Sequence, residues 1–113
     1  MNMTKETING VCVVRLEGPV MLGDADALRA TFRRWFEQAS SPRVVVDMEK
    51  ADQLDSAGLG ALVYAAQLVR DRGGDLCFAC LQKKARLVFE ITRSYKVFDI
   101  YATVDEAVRA QPA

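Results

Sequence analysis

Residues 43–60 read RVVVDMEKADQLDSAGLG, and this stretch decides the fold. It begins with Val44–Val46, a continuous run of β-branched residues that suits a strand covered on both faces. A connection over 49–54 follows, and Asp55-Ser56 then opens a run with helical periodicity that continues to about Arg72. A buried strand that leads through a short connection into a helix is typical of a strand–helix–strand crossover. The stretch therefore predicts a mostly parallel sheet.

The segments on either side complete an α/β arrangement. Upstream, Asn9-Gly10 separates two strand-like runs and predicts a hairpin, because both residues tolerate positive φ. The other expected elements are a helix from Asp24 or Asp26 to about Ala39, a strand over 76–81, a helix over 83–92, a short strand or turn over 97–101 and a last helix after Thr103. The expected fold is one α/β domain over 1–113: a mixed, mostly parallel sheet of four to five strands with an N-terminal hairpin and about four helices.

Composition limits the possible functions. The chain has 113 residues, half of them apolar, and its 15 basic and 15 acidic residues cancel. A net charge of zero gives no long-range attraction to nucleic acid or to an anionic membrane. The sequence contains neither a signal-peptide pattern nor an apolar run of the roughly 20 residues needed to cross a bilayer. We therefore expect a cytoplasmic protein that neither binds nucleic acid nor inserts into a membrane.

Catalytic and metal-binding chemistry is not expected. The sequence contains no histidine, which removes the commonest general base and metal ligand. Of its three cysteines, Cys77 and Cys80 form a C-x-x-C pattern, but both fall within the predicted strand 76–81. Residues three apart on a strand point to opposite faces, so we expect reduced core thiols with no redox or metal role. The sequence predicts no enzyme, no metal site and no cofactor.

Ser56 is the candidate functional residue, because it lies where a strand edge and a helix start coincide. At a helix start, serine can serve as N-cap, and the same hydroxyl could carry a phosphate facing the positive end of the helix dipole. The structural alternative makes Ser56 a cap, Asp55 a partner of the dipole, and Gly58 and Gly60 packing residues. Two glycines in a first turn lose roughly 1 kcal/mol each relative to alanine, which favours a functional reason, such as close approach of another protein to Gly58.

The predicted helix after Ser56 has two apolar sides. One stripe is expected to face the core: Leu59, Leu62, Val63, Ala66 and Val69. A second lies on the far side: Ala61, Tyr64, Ala65 and Leu68. A neighbouring helix could cover this second stripe, or it could form a docking surface continuous with Ser56. Lys83, Lys84 and Arg86 are expected to form a solvated face.

These residues resemble the signature of the STAS domain (sulfate transporter and anti-sigma factor antagonist). The similarity rests on Asp55-Ser56-Ala57-Gly58-Leu59 after the valine strand that ends in Asp47. It extends over nearly the whole chain, including the opening hairpin and the closing segment Phe98–Val108. Here Ala57 stands where many members have serine or threonine, and Met21-Leu22-Gly23 replaces a commoner Leu-Asp pattern.

The resemblance implies a stand-alone anti-sigma factor antagonist. In such proteins the serine matching Ser56 is phosphorylated by an anti-sigma factor that is itself a serine kinase, and a metal-dependent serine phosphatase removes the phosphate. The unphosphorylated form sequesters the kinase. The alternative is a STAS module that does not switch, serving as accessory or scaffold subunit of a lipid-transport or stress-sensing complex. The expected phosphorylation site is Ser56, and the expected contact residues are Asp55, Ser56, Ala57, Gly58, Leu59, Met21, Leu22, Gly23, Ala61 and Tyr64.

Overall fold

A five-stranded sheet flanked by four α-helices forms the protein, as seen in a computed structural model that describes residues 1–112. The elements are, in chain order, β1 (Asn2–Ile8), β2 (Val11–Glu17), α1 (Ala25–Phe36), β3 (Arg43–Lys50), α2 (Ser56–Asp71), β4 (Asp75–Ala79), α3 (Lys83–Ile91), β5 (Ile100–Tyr101) and α4 (Val104–Ala110). One 3-10 turn precedes α1 (Leu22–Asp24) and another follows α3 (Ser94–Lys96). The predicted α/β class, strand number and helix number are confirmed.

The strands lie in the sheet in sequence order, β1-β2-β3-β4-β5. β1 and β2 pair antiparallel through the hairpin, in which Asn9 has a φ of 50° and Gly10 a φ of 79°. Both positive angles match the two-residue hairpin turn that Asn-Gly predicts. The remaining pairs are parallel, so β2 and β3 both end at the same edge of the sheet. The connections that follow those two strands therefore start side by side.

Helices cover both faces of the sheet. α1, α2 and α3 pack on one face around the larger core, which includes Phe32, Leu62 and Phe78. α4 packs on the opposite face, where Ala107 and Val108 meet apolar residues of β2, β3 and β4. Crossovers that place helices on both faces bury the central strands, which explains the valine run of β3.

α2 is buried on two sides, against the sheet and against α1. Leu62, Ala66 and Val69 pack into the core as predicted, but Val63 is 43% exposed, so its assignment to the core stripe is wrong. Ala61 and Ala65, predicted on the far side, are fully buried because α1 packs alongside. The alternative in which a neighbouring helix covers that side is therefore confirmed for these two alanines.

The C-x-x-C pattern does not lie wholly within a strand. β4 ends at Ala79 because Cys80 adopts a positive φ of 62°. Cys77 and Cys80 both contact the smaller apolar core that packs against α4. The prediction that they face opposite sides of the sheet is wrong, although both are free thiols. Burial raises the pKa of Cys77 to about 12 and also raises that of Cys80, so neither forms a reactive thiolate at neutral pH.

One other boundary and one capping interaction differ from the sequence-based expectation. α1 ends at Phe36 instead of near Ala39, and the chain then turns through Ser41, with a φ of 48°, before Pro42. Asp24 occupies the N-cap position of α1, but its carboxylate accepts from the Met21 amide at 3.1 Å instead of capping the helix.

Candidate functional site

Two loops lie side by side at the edge where β2 and β3 end. Hydrogen bonds join them beyond the strand ends: the Gly18 amide donates to the Lys50 carbonyl at 2.8 Å, and the Val20 amide donates to the Gln53 carbonyl at 2.9 Å. Val20 also forms an isolated parallel bridge with Leu54. The pairing fixes residues 21–23 directly beside the start of α2.

Asp47 lies within β3 and links this strand to β2. Its side chain is buried, its Oδ1 accepts from the Glu49 amide at 3.0 Å, and its Oδ2 lies 3.3 Å from the Arg15 guanidinium. Each oxygen of this buried carboxylate thus has a polar partner. Asp47 thus ties the last residues of β3 to β2.

Asp55 is the N-cap of α2, which corrects the expectation that Ser56 fills this role. Its Oδ1 accepts from the Gly58 amide at 2.7 Å, the standard capping bond. Its Oδ2 accepts from the Leu22 amide of the neighbouring loop at 2.9 Å. The amide of Gly58, ahead of smaller contributions from other amides including that of Leu22, lowers the pKa of Asp55. One carboxylate therefore holds both the helix start and the loop.

Ser56 is the first residue of α2, and its side chain is exposed. Because Asp55 caps the helix, the hydroxyl of Ser56 is not needed for that purpose. Because the residue is exposed, an added phosphoryl group has room. Phosphorylation itself stays a prediction.

Gly58 is buried and packs against the chain's own backbone. A Cβ at this position would overlap the carbonyl oxygen of Val20 and come within 3.1 Å of a methyl group of Leu54. The glycine is thus required for contact between the two loops. The interpretation that it lets another protein approach the backbone is wrong.

The predicted contact residues divide into a surface group and a supporting group. Leu22 is 73% exposed, Gly23 and Ser56 are exposed, and four more are partly exposed: Met21, Asp55, Ala57 and Tyr64. Gly58, Leu59 and Ala61 are buried, which corrects their assignment as contact residues. We call the seven accessible residues the Ser56 surface: Met21, Leu22, Gly23, Asp55, Ser56, Ala57 and Tyr64.

Two arginines of α1, which the sequence analysis did not single out, border this surface. Arg33 donates to the Tyr64 hydroxyl at 3.1 Å. One turn earlier, the Arg29 guanidinium lies 4.0 Å from the point where a Cβ of Gly60 would stand. Finding them requires knowing that α1 and α2 pack together, and no local motif carries that information.

Residues 1–112 contain no group of three or more histidine, cysteine, aspartate or glutamate side chains placed to hold a metal ion. Within the same range, no helix has both the length and the apolar character required to cross a membrane. Lys83, Lys84 and Arg86 are all exposed, as predicted for a solvated face.

Comparison with known proteins agrees with the fold. The STAS domain model of protein families matches residues 2–107. A Bordetella bronchiseptica protein named as an anti-sigma factor antagonist, BtrV, is 29% identical over 110 residues, which are 97% of this chain and 94% of that one. An anti-sigma factor antagonist structure from Mycobacterium paratuberculosis superposes with a TM-score of 0.84 at 25% identity, covering 96% of this chain and 92% of that one.

A further solved structure shares the fold. The Bacillus cell fate determinant SpoIIAA, solved in its phosphorylated form, superposes with a TM-score of 0.71 at 19% identity. The match covers 96% of this chain and 97% of that one. At this identity the likeness concerns the fold.

Proposed function

The chain belongs to the STAS-domain family, and on that premise we propose that it is an anti-sigma factor antagonist whose binding is switched by phosphorylation of Ser56. The unphosphorylated protein would bind and sequester an anti-sigma factor that is a serine kinase. That kinase would phosphorylate Ser56, and a metal-dependent serine phosphatase would restore the binding form. Relatives that carry the antagonist name over nearly their full length support this assignment.

The observation that carries the proposal is the position of Ser56. It is the first residue of α2, exposed, and beside a loop that presents Leu22 to solvent. The hydrogen bonds of Asp55 and the pairing of Val20 with Leu54 hold that loop in place. A partner that covers Leu22 would also cover Ser56.

Charge gives the switch its physical basis. A phosphate adds about −1.5 to −2 charges at neutral pH, and here it would stand next to the carboxylate of Asp55. Burying that charge in an interface without matching cations costs about 2–5 kcal/mol. This corresponds to a loss of affinity of about 30-fold to several-thousand-fold. The exposed Ser56 can accept the group without a change of fold.

The test is phosphorylation and binding with a serine-kinase anti-sigma factor from the same organism. Incubation with the kinase and ATP should add the mass of one phosphoryl group, and Ser56→Ala should abolish the gain. Ser40→Ala is the matched control, because Ser40 is also exposed but lies in the α1–β3 loop. Phosphorylation at any site other than Ser56, or equal kinase binding by both forms, would contradict the proposal and favour a STAS module that does not switch.

A further inference from the structure

Phosphorylation of Ser56 would place a second negative group at the start of α2, next to the carboxylate of Asp55. The Gly58 amide, one of those that a helix N-terminus offers to an anion, is engaged here, since it donates to Asp55 Oδ1. The Leu22 amide, from the neighbouring loop, donates to Asp55 Oδ2. A phosphate on Ser56 would therefore meet a carboxylate that already occupies the positive end of the dipole. A cation from elsewhere in the protein would stabilise the phosphate beside this carboxylate.

Arg29 is placed to supply that cation. Its Nη2 lies 4.0 Å from the position that a Cβ of Gly60 would occupy. Gly60 follows Ser56 by four residues, so the two positions lie on the same face of α2, with Cβ positions about 5–6 Å apart. Cβ atoms of a helix tilt toward its N-terminus, so the vacant space above Gly60 leads toward Ser56. Gly60 has no side chain that would separate the guanidinium from Ser56.

The present partner of Arg29 is easily displaced. Arg29 Nη1 pairs with Asp26 Oδ1 at 3.3 Å, and the Asp26 side chain is fully exposed. Solvent screens such a pair strongly, so it is weak. A phosphate carries more charge than a carboxylate and can accept two parallel hydrogen bonds from a guanidinium. Exchange of Asp26 for a phosphate within reach would therefore give Arg29 a stronger ion pair.

We propose that Arg29 is the intramolecular counter-ion of phosphorylated Ser56, moving from Asp26 to the phosphate when the modification is made. This inference rests on the proposed phosphorylation. It adds that the phosphorylated protein satisfies its new charge within its own structure. The pair would lie between α1 and α2, so phosphorylation would also change the surface that a partner meets.

The experiment uses the full chain with phosphoserine incorporated at position 56 during translation, so that no kinase is needed. The second ionisation of the phosphate is followed by ³¹P NMR during a pH titration. A nearby guanidinium favours the doubly charged phosphate, so Arg29→Gln should raise this pKa by about half a pH unit. Arg29→Lys should lie between the two, because it keeps the charge but loses the fork geometry.

Arg33→Gln is the matched control. Arg33 lies one turn further along α1 and is tied to Tyr64, which is about 12 Å along α2 from Ser56. At that distance its charge is largely screened, so the phosphate should titrate as in the parent protein. Equal effects of the Arg29 and Arg33 substitutions on the phosphate pKa, or no effect of either, would overturn the proposal.

A second measurement covers a failure of the Arg29 variants to fold. In the unsubstituted chain, the side-chain Nε–Hε signal of Arg29 should shift on phosphorylation while that of Arg33 stays in place. The two proposals remain separable. A chain that no kinase phosphorylates, but whose installed phosphoserine couples to Arg29, would defeat the proposed function alone. A chain that switches kinase binding, but shows no coupling, would defeat this inference alone.

Discussion

Asp55 and Leu22 are 33 residues apart in the sequence and are joined by a 2.9 Å hydrogen bond from the Leu22 amide to the Asp55 carboxylate. The other oxygen of the same carboxylate caps α2 through Gly58. Asp55 therefore links the start of α2 to the neighbouring loop. It sets the position of the most exposed apolar side chain on the Ser56 surface relative to Ser56 itself.

Asp55→Ala should loosen both the loop and the helix start. We expect a lower Tm and faster hydrogen exchange at the Leu22 and Gly58 amides, because both lose their acceptor. Asp52→Ala, a substitution at an exposed aspartate of the same connection, is the control and should leave both amides protected. Unchanged exchange at Leu22 in Asp55→Ala would show that the loop is held by its backbone pairing alone.

The contribution of Asp55 to stability should depend on pH in one direction. Its folded-state pKa is lowered from the ordinary 3.8, chiefly by the Gly58 amide. The stabilisation is therefore fully present above that ordinary value and is lost as pH falls through the lower, folded-state pKa. Denaturant unfolding of the parent and Asp55→Asn proteins should show a difference in unfolding free energy that shrinks below pH 3.8. A difference in unfolding free energy that grew on acidification would contradict the predicted direction.

Two glycines of the same turn should respond in opposite ways to alanine. Gly58→Ala forces a Cβ against the Val20 carbonyl and should destabilise the protein by about 1–3 kcal/mol. Gly60→Ala meets only Arg29, at 4.0 Å, and should stabilise by up to about 1 kcal/mol through helix propensity. Urea unfolding measures both, and equal destabilisation would show that Gly60 also needs its open space.

Leu22→Ser should weaken binding of the kinase partner without affecting the fold. An exposed apolar side chain contributes little to folding, so we expect a change in unfolding free energy within about 0.5 kcal/mol. If Leu22 is a central contact, affinity should fall about tenfold or more. Ile91→Ser on α3 is the matched control, because Ile91 is also 73% exposed. Loss of binding in the Ile91 variant alone would move the docking surface to α3.

The order of elements was predictable because local signals agreed with one another. Asn9-Gly10 indicated the hairpin, the valine run indicated a covered strand, and Thr103 indicated the last helix, where its hydroxyl accepts from the Glu106 amide at 3.1 Å. Each of these signals acts within a few residues. They do not depend on how distant parts of the chain pack.

The errors arose where distant parts of the chain decide the outcome. Asp55 and Ser56 are both good N-caps, and the chain uses Asp55, which also reaches Leu22.

Periodicity placed Val63 in the core, although α1 covers the other side of α2 and buries Ala61. The sequence showed that Gly58 is unusual, but not that its close neighbour is Val20 of the same chain. Cys80 left the predicted strand through a backbone angle that its sequence does not signal.

The bridge between Val20 and Leu54 bears on how this protein could be re-engineered. Surface loops usually accept insertions and exchanges one at a time. Here an added residue in either connection would shift the register against its neighbour and move Leu22 away from Ser56. To confer binding of a different partner, segments 18–24 and 51–58 should therefore be exchanged together. Either segment exchanged alone would lose the pairing that aligns it with the other.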